Sequence, residues 1–264
     1  MRDDYKTILL ERKGDHLMVV TLNRPKAGNS MNTLMGEELR DLWSALYCDQ
    51  ENVRCIVLTG TGDRIFCAGA DLKERNGMSD DQWMSQHALF EQMIMAEMDC
   101  PIPIIAAING AAYAGGFEMT LGCDFVYAAS HARFALTEVT LGIMPGACGT
   151  QNLPRAVGLR RAKEIILTGT PISAEEAYEY GIVNKLCDGE NLLKEALATA
   201  QRICDNAPIS IRQAKKSMNM SQNIDLKSGY MFELEAYNRM VTTEDRVEGI
   251  LAYNEKRKAN FRGR

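Results

Sequence analysis

Two short loops of very small residues join predicted strands to predicted helices. They occupy residues 67–71 (Cys-Ala-Gly-Ala-Asp) and 113–117 (Tyr-Ala-Gly-Gly-Phe). Side chains this small allow a ligand to approach the main-chain N–H groups closely. Two N–H groups that converge on one point form an oxyanion hole, where each donor is worth roughly 3–4 kcal/mol once charge develops on an oxygen. Spacing alone leaves this role and simple close packing of glycines equally open.

Two glutamates accompany these loops. Glu118 directly follows the second loop among Phe117, Met119 and Leu121, and Glu138 lies in the apolar segment 134–139. Neither has Lys or Arg beside it in the sequence, and burial among apolar neighbours raises a carboxyl pKa toward neutrality, which suits acid–base catalysis. One such glutamate would more simply be a surface or helix-cap residue, but two beside similar loops favour a catalytic pair.

Several other chemistries are disfavoured by the sequence. The segment 60–62 (Gly-Thr-Gly) lacks the third glycine of a dinucleotide-binding loop because Ile65 stands there, and Gly116 replaces the P-loop lysine. The three histidines do not group with other ligands at metal-binding spacing, and no nucleophile constellation stands out. Trp83 and His87 share a helical face, and we interpret them as packing or pocket-lining residues.

The hydrophobic pattern predicts the elements that position these residues. A hairpin is expected over 7–22 and an amphipathic helix over 33–48 with Asn32 as its N-cap. Short apolar strands are expected at 53–58, 104–108, 125–129 and 133–136. Helices alone are expected at 192–206, 209–220, 226–241 and 244–258. This order predicts a layered α/β core over 1–190, followed without a flexible linker by a helical region over 191–264.

Composition and charge limit the classes of function. The chain of 264 residues is 46% hydrophobic and 25% charged, as in ordinary globular proteins. Its net charge of −5 argues against nucleic acid as a partner, although residues 256–264 are locally basic and leave open a phosphate site or a solvated helix end. Eight cysteines without a C-x-x-C pair indicate reduced core thiols. With neither a signal peptide nor a membrane span expected, we predict a cytoplasmic protein.

Five segments of the chain carry a resemblance to a known superfamily. They lie at 66–73, 109–118, 137–151, 167–177 and 255–261. On these segments the chain resembles the crotonase superfamily, and within it the enoyl-CoA hydratases. The resemblance implies an α/β fold that is a crotonase-type spiral of β-β-α turns, with a helical C-terminal trimerisation region. The trimers of this superfamily often pair into hexamers. It also implies an acyl-CoA thioester substrate and no cofactor, because CoA is part of the substrate, and no metal.

The resemblance further implies roles for individual residues. The N–H groups of Ala70 and Gly115 would hold the thioester oxygen of a 2-enoyl-CoA. Glu118 would activate the water that attacks C3, and Glu138 would deliver a proton to C2, giving a 3-hydroxyacyl-CoA. Other matched positions would bind the substrate along the path of CoA, the last two often from a neighbouring subunit: Lys26, Ala27, Ala68, Asp71, Leu72, Lys73, Tyr253 and Lys256.

Three departures from the family pattern leave the preferred acyl chain open. Ala114 and Cys148 stand where many hydratases have glycine, and Thr137 stands where many have proline. The presence of both glutamates favours hydration, because crotonase-fold enzymes with other reactions commonly replace one of them. A methylglutaconyl-CoA hydratase, to which residues 66–75 are similar, a double-bond isomerase and a retro-aldol lyase stay open. So does RNA binding through the basic C-terminus, against which the overall acidity argues.

Overall fold

The strands of the computed structural model, which describes residue 2 and residues 4–264, form two sheets joined by helices. The strands are β1 (Ile8–Lys13), β2 (Leu17–Leu22), β3 (Cys55–Gly60), β4 (Ile65–Cys67), β5 (Ile104–Ile108), β6 (Ala111–Tyr113), β7 (Phe125–Ala129), β8 (Arg133–Ala135), β9 (Ile172–Ser173) and β10 (Lys185–Cys187). The α-helices are α1 (Thr33–Cys48), α2 (Leu72–Arg75), α3 (Asp80–Met98), α4 (Gly115–Gly122), α5 (Gly149–Val157), α6 (Leu159–Thr168), α7 (Ala174–Glu179), α8 (Leu192–Cys204), α9 (Pro208–Ser221), α10 (Leu226–Val241) and α11 (Glu244–Glu255).

The chain alternates between the two sheets as it advances. The larger sheet has the order β1-β2-β3-β5-β7-β10, and the smaller has the order β4-β6-β8-β9. From β3 to α6, each turn of chain adds one strand to the larger sheet, one to the smaller, and then helix. Successive turns pair in parallel, with Ile56 beside Ile104 and Ile105 beside Phe125. This arrangement confirms the predicted α/β spiral of β-β-α turns.

Local sequence signals set most element boundaries. The helix predicted at 33–48 is confirmed as α1, and the side chain of its N-cap Asn32 accepts a hydrogen bond from the N–H of Met35. The strand expected at 53–58 begins two residues later, because the N–H of Val53 closes a turn and the ladder with β2 starts only at the first residue of β3. The apolar pattern of the sequence therefore locates such a strand, but the hydrogen bonds to the neighbouring strand decide where it begins.

Both faces of the larger sheet are covered. Along β3, Ile56 and Leu58 face the main core, whereas Val57 faces a second cluster on the other side. Residues Ala196 and Ala200 of α8 belong to that second cluster. Because neither face meets water, the inner strands are continuous apolar runs instead of alternating ones. The first helix of the predicted C-terminal region therefore packs as part of the core.

Helices alone follow β10, as the sequence predicted. Helix α11 ends three residues before the expected position 258, because Lys256 adopts the left-handed conformation with φ 55°. Buried Lys215 on α9 fastens this region to the core: its Nζ lies 2.7 Å from Oδ2 of Asp124 and 3.0 Å from the carbonyl oxygen of Ile102. The division at residue 190 and the role in trimerisation stay predictions. Among the described residues, no helix is long and apolar enough to cross a membrane.

Candidate active site

Both glycine loops and both glutamates border one cavity of about 480 Å³. Six predicted site residues lie on its wall: Ala68, Ala70, Leu72, Gly115, Glu118 and Glu138. Much of the remaining wall is apolar and includes Phe90, Met93 and Leu141. Trp83 and His87 also line it, which agrees with their interpretation as pocket residues. The fold thus brings together groups that are up to 70 residues apart in the sequence, in surroundings that can exclude water.

The first loop turns the N–H of Ala70 toward the cavity. On one side of the loop, the N–H of Met31 donates to the carbonyl of Gly69, and the N–H of Asp71 donates to the carbonyl of Met31, both at 2.8 Å. Main-chain groups of successive residues in an extended chain point in opposite directions, so the N–H of Ala70 points away from Met31. Within the described chain this N–H has no protein acceptor, which leaves it available to a ligand.

The second loop supplies the other donor at the start of α4. Gly115 is the first residue of that helix, where N–H groups lack intrahelical partners, and its N–H has no acceptor in the part of the chain that the structure describes. A Cβ built on Gly69 would lie 3.3 Å from this nitrogen and 2.7 Å from Cβ of Ala114, so the two loops touch. The positive end of the helix dipole adds to the attraction for an anionic oxygen.

Two of the departures noted in the sequence lie at unusual backbone positions. Ala114 has φ 50° and ψ −127°, and Cys148 has φ 68° and ψ 6°. Residues with a side chain rarely adopt positive φ, and such a conformation costs on the order of 1–3 kcal/mol. The glycine that many hydratases have at each position is therefore explained by the backbone. This chain carries strain immediately before the Gly115 donor and beside the anchor of Glu118.

Glu118 is an ordered, buried carboxylate. Its Oε1 accepts hydrogen bonds from the N–H of Ala147 at 2.8 Å and from the N–H of Gly149 at 2.9 Å. Burial raises the pKa of Glu118, while the N–H groups of Ala147, Gly149 and Gly146 oppose this by stabilising the ionised form. A Cβ at Gly149 would lie 2.7 Å from Oε1, so a side chain there would displace the carboxylate. This environment suits a general base.

Glu138 has a contrasting environment. It opens the 3-10 turn Glu138–Leu141 after β8, and its Oε2 is buried without a hydrogen-bond partner among the described residues. Burial raises its pKa to about 7; its own main-chain N–H opposes the rise, and the charge of Glu118 adds to it. Because one oxygen is buried without a donor and burial outweighs the single main-chain N–H, the carboxyl group of Glu138 is readily protonated near neutral pH. The two glutamates are therefore suited to different roles, Glu138 as the acid and Glu118 as the base.

Lys26 and Ala27 lie next to the first loop. They form the 3-10 turn Pro25–Ala27, and the carbonyl of the following residue, Gly28, accepts a hydrogen bond from the N–H of Ala68 at 3.1 Å. The side chain of Lys26 is exposed. Neither residue is on the cavity wall, but both lie next to the first loop, whose Ala68 and Ala70 line the cavity. Their predicted contact with CoA stays a prediction.

Asp71 shapes the loop through contacts within the protein. Its Oδ1 accepts hydrogen bonds from the N–H groups of Lys73 and Glu74, so it caps α2. Its Oδ2 lies 2.9 Å from a terminal nitrogen of Arg24. The side chain of Lys73 is exposed, and neither Asp71 nor Lys73 lines the cavity, in contrast to Leu72. The structure thus gives Asp71 a positioning role in the loop, whereas its substrate contact is untested.

The structure does not bring Tyr253 and Lys256 to the cavity of their own chain. Both lie at the end of α11, where Tyr253 is 84% exposed and Lys256 is the C-cap. Their predicted contact with CoA would have to be made in a neighbouring subunit. That contact stays a prediction.

Several basic residues near the C-terminus are already paired with acids. Arg257 lies 2.6 Å from Glu248, and Lys258 lies 2.8 Å from Asp205. Arg264 pairs with Glu244 at 2.8 Å. Surface ion pairs contribute little to stability, but they reduce the positive potential that phosphates would meet. The basic segment therefore offers less free charge to RNA than its sequence indicates.

Arg75 is a cavity residue that the sequence analysis did not identify. It belongs to α2, is only 9% exposed, and lines the cavity. Its guanidinium carbon lies 4.2 Å from the ring centre of Trp83 and 5.5 Å from that of Phe90. The one signal available was an arginine just after a predicted ligand loop. From the sequence alone, a charged residue at the end of a short helix is expected to be solvated. Only the structure shows that Trp83 and Phe90 of α3 cover it.

Comparison with known proteins places these features in a family. A family model described as enoyl-CoA hydratase/isomerase matches residues 12–264. The crotonyl-CoA hydratase of Syntrophomonas wolfei is 38% identical over 257 residues, covering 97% of this chain and 98% of that protein. The mitochondrial methylglutaconyl-CoA hydratase of Homo sapiens is 35% identical over 265 residues, covering 99% of this chain and 78% of that protein.

A crystal structure of an enoyl-CoA hydratase from Bacillus anthracis is also similar. It superposes with a TM-score of 0.96 at 41% identity, covering 98% of this chain and 100% of that one. The matches extend over nearly the whole chain in sequence and in fold, and they confirm the predicted superfamily and the hydro-lyase class of enzyme. The chain belongs to the enoyl-CoA hydratase/isomerase family.

Proposed function

We propose that this protein adds water across the C2–C3 double bond of a 2-enoyl-CoA to give a 3-hydroxyacyl-CoA. One observation carries the proposal: two buried glutamates with different environments and two free main-chain N–H groups border the same cavity. The similarity to a protein named crotonyl-CoA hydratase supports the same reaction.

The two N–H groups would act on the thioester oxygen. When water attacks C3, electron density moves through C2 to this oxygen, which becomes negatively charged. The donors of Ala70 and Gly115 face the cavity without protein acceptors, so they are ready to bind that oxygen without reorganisation. Each such donor lowers the barrier by roughly 3–4 kcal/mol, and the N-terminus of α4 adds to the effect.

The two glutamates would divide the proton transfers. Glu118, whose ionised form is stabilised by main-chain N–H groups, accepts a proton from the attacking water. Glu138, which is readily protonated near pH 7, donates a proton to C2. Water is thereby added in full, with oxygen on C3 and hydrogen on C2, and solvent returns the proton from one carboxyl group to the other. These steps use only carboxylates and amides, so we propose no cofactor and no metal.

Glutamine variants test this assignment because they keep the shape of the side chain and remove its proton chemistry. We expect Glu118→Gln and Glu138→Gln each to lower kcat for crotonyl-CoA by about 10²–10⁴-fold. Loss of the ultraviolet absorbance of the conjugated thioester measures hydration. Glu97→Gln is the matched control, because Glu97 is equally buried but lies outside the cavity. Near-normal hydration by both active-site variants would refute the proposal.

Product analysis separates hydration from isomerisation or retro-aldol cleavage by the same fold. A hydratase converts a 2-enoyl-CoA to its 3-hydroxyacyl-CoA and reverses the reaction, without moving the double bond to C3 or breaking a carbon–carbon bond. We expect the 3-hydroxy product because each of the two carboxyl groups has a proton to move in hydration. A shifted double bond as the main product would favour an isomerase instead.

We also propose that the protein assembles as a homotrimer or a dimer of trimers. Large apolar side chains are exposed on the C-terminal helices, including Leu226 at 90% and Tyr253 at 84%. Large exposed apolar side chains concentrated in one region of the chain are typical of interaction surfaces. Sedimentation equilibrium would give the mass of three or six chains, whereas a monomer at micromolar concentration would contradict the proposal.

A cytoplasmic location is proposed from the chemistry of the cysteines. All eight are free, and five of them are buried. Free core thiols are typical of proteins in a reducing compartment. Fluorescence imaging or fractionation of the producing cell would test the location.

A further inference from the structure

The cavity contains a cation that the proposed hydration does not use. Among the described residues of the cavity wall, Arg75 is the one ionisable residue besides the two glutamates and His87, which lies 3.2 Å from Glu91. Its side chain is nine-tenths buried. An arginine is always charged in proteins, and burying a charge without a partner is costly. The position of this charge therefore needs an explanation.

Protein groups satisfy only part of the Arg75 guanidinium. Its Nε donates to Oε1 of Gln86 at 2.8 Å, and the aromatic rings described above cover it. No carboxylate of the described chain forms an ion pair with it, because the neighbouring Glu74 instead accepts hydrogen bonds from Thr33 and Gln86. The charge of Glu74 favours the cationic form of Arg75, but burial outweighs it and lowers the pKa of the guanidinium.

The two terminal nitrogens of Arg75 have no hydrogen-bond acceptor among the described residues. They also keep some contact with solvent. Among the described residues, the fully buried side-chain polar atoms without a partner belong to Trp43, Glu97 and Glu138, and those of Arg75 are not among them. The N–H donors of both terminal nitrogens are therefore left without protein acceptors on a residue that lines the cavity. A planar guanidinium presented in this way matches a carboxylate with two parallel hydrogen bonds.

We infer that Arg75 is a specificity-determining residue that selects 2-enoyl-CoA substrates whose acyl chain carries a carboxylate at its far end. This inference rests on the proposed hydration. The stacking rings hold the guanidinium in one orientation, and Gln86 fixes its Nε, so the free edge is preorganised for a ligand. A methyl-ended acyl chain would instead bury Arg75 further without giving its nitrogens an acceptor, which lowers affinity.

Two other roles for Arg75 make different demands. A purely structural contact between α2 and α3 would use the stacking of the guanidinium on the aromatic rings, but it would not need free N–H groups on a cavity-lining residue. Binding the phosphates of CoA would place the cation near the exposed Lys26 and Lys73, which are predicted to lie along the path of CoA, and not under Trp83 within the wall. The observed burial favours a small anionic group that enters the cavity with the acyl chain.

The test compares two substrates of five acyl carbons that differ only at the far end. One is the 2-enoyl-CoA that ends in a carboxylate, and the other is 2-pentenoyl-CoA, which ends in a methyl group. We expect the protein to prefer the carboxylate in kcat/KM, and Arg75→Met to lower that preference by about 10- to 150-fold, as expected for losing a charge-assisted hydrogen bond. Arg75→Lys should restore part of it.

Arg161→Met is the matched control, because Arg161 also stacks on an aromatic ring, 4.3 Å from that of Tyr180, but lies outside the cavity. It should leave the preference for the carboxylate unchanged. Equal loss on both substrates would assign Arg75 to CoA binding or to structure, and would overturn the inference. Equal kcat/KM for the two substrates with the unaltered protein would also overturn it.

A binding measurement keeps the inference testable if Arg75→Met fails to fold. The affinities of two saturated thioesters, glutaryl-CoA and pentanoyl-CoA, are compared on the unaltered protein, and this comparison needs no turnover. Tenfold or tighter binding of glutaryl-CoA supports the inference, whereas equal binding overturns it. Absence of hydration with every enoyl-CoA would refute the proposed reaction. The same binding comparison would still decide the Arg75 inference, so the two failures can be distinguished.

Discussion

Replacement of Glu138 by glutamine should lower activity and raise stability together. Burial raises the pKa of Glu138 from its ordinary 4.5 to about 7, so the folded protein binds this proton more tightly than the unfolded chain does. The stability that Glu138 contributes is therefore fully present below pH 4.5, falls as the pH rises toward 7, and is lost above it. Glutamine keeps the shape without the charge, so Glu138→Gln should not show this loss.

The size of the effect follows from the pKa change. Each pKa unit corresponds to about 1.36 kcal/mol, so a carboxyl group that moves from 4.5 to about 7 costs up to about 3 kcal/mol above pH 7. Oε2 has no hydrogen-bond partner among the described residues, so replacing it removes no such bond. We expect Glu138→Gln to match the unaltered protein near pH 4.5 and to exceed it by roughly 1–3 kcal/mol at pH 8.

Urea unfolding at pH 5 and pH 8, at one protein concentration, measures this difference, and crotonyl-CoA hydration measures the loss of activity. Glu97→Gln is again the control: Glu97 is buried, burial raises its pKa to about 8, and its Oε2 also lacks a partner within the described chain. The stability of Glu97→Gln relative to the unaltered protein should likewise increase as the pH rises from 4.5 to 8, with hydration unchanged. Equal stability changes at both pH values, or destabilisation by Glu138→Gln at pH 8, would refute the assigned environment.

Two further predictions concern the two loops of the proposed oxyanion hole. Ala114→Gly should relieve strain of about 1–3 kcal/mol against an entropy cost of about 0.5–1 kcal/mol. The resulting gain of about 1 kcal/mol should raise the thermal midpoint by about 2–4 °C, and an unchanged or lower midpoint would contradict the strain. Gly69→Ala places a Cβ 2.7 Å from that of Ala114, so it should separate the two loops and lower kcat by about 10²–10³-fold in a protein that still unfolds cooperatively. Normal kcat would show that the two N–H groups do not act on one oxygen.

The sequence predicted the elements best where a local signal was strong. The N-cap at Asn32 and the strand at 104–108 are confirmed, because capping and continuous apolar runs depend on neighbouring residues. The start of β3 and the end of α11 were displaced by two and three residues. Both boundaries are set by pairing and by backbone conformation, which the residue types at those positions do not report.

The sequence by itself determined the family, the spiral of strands and helices, and the candidate catalytic glutamates, because each is carried by motifs of adjacent residues. Only the tertiary structure decided how these groups are arranged. It brought Glu138 into the cavity with Glu118 and gave the two carboxyl groups opposite hydrogen-bonding surroundings. It also covered Arg75 with rings from α3. Burial and the direction of a free N–H depend on elements far apart in the chain, and no local pattern encodes them.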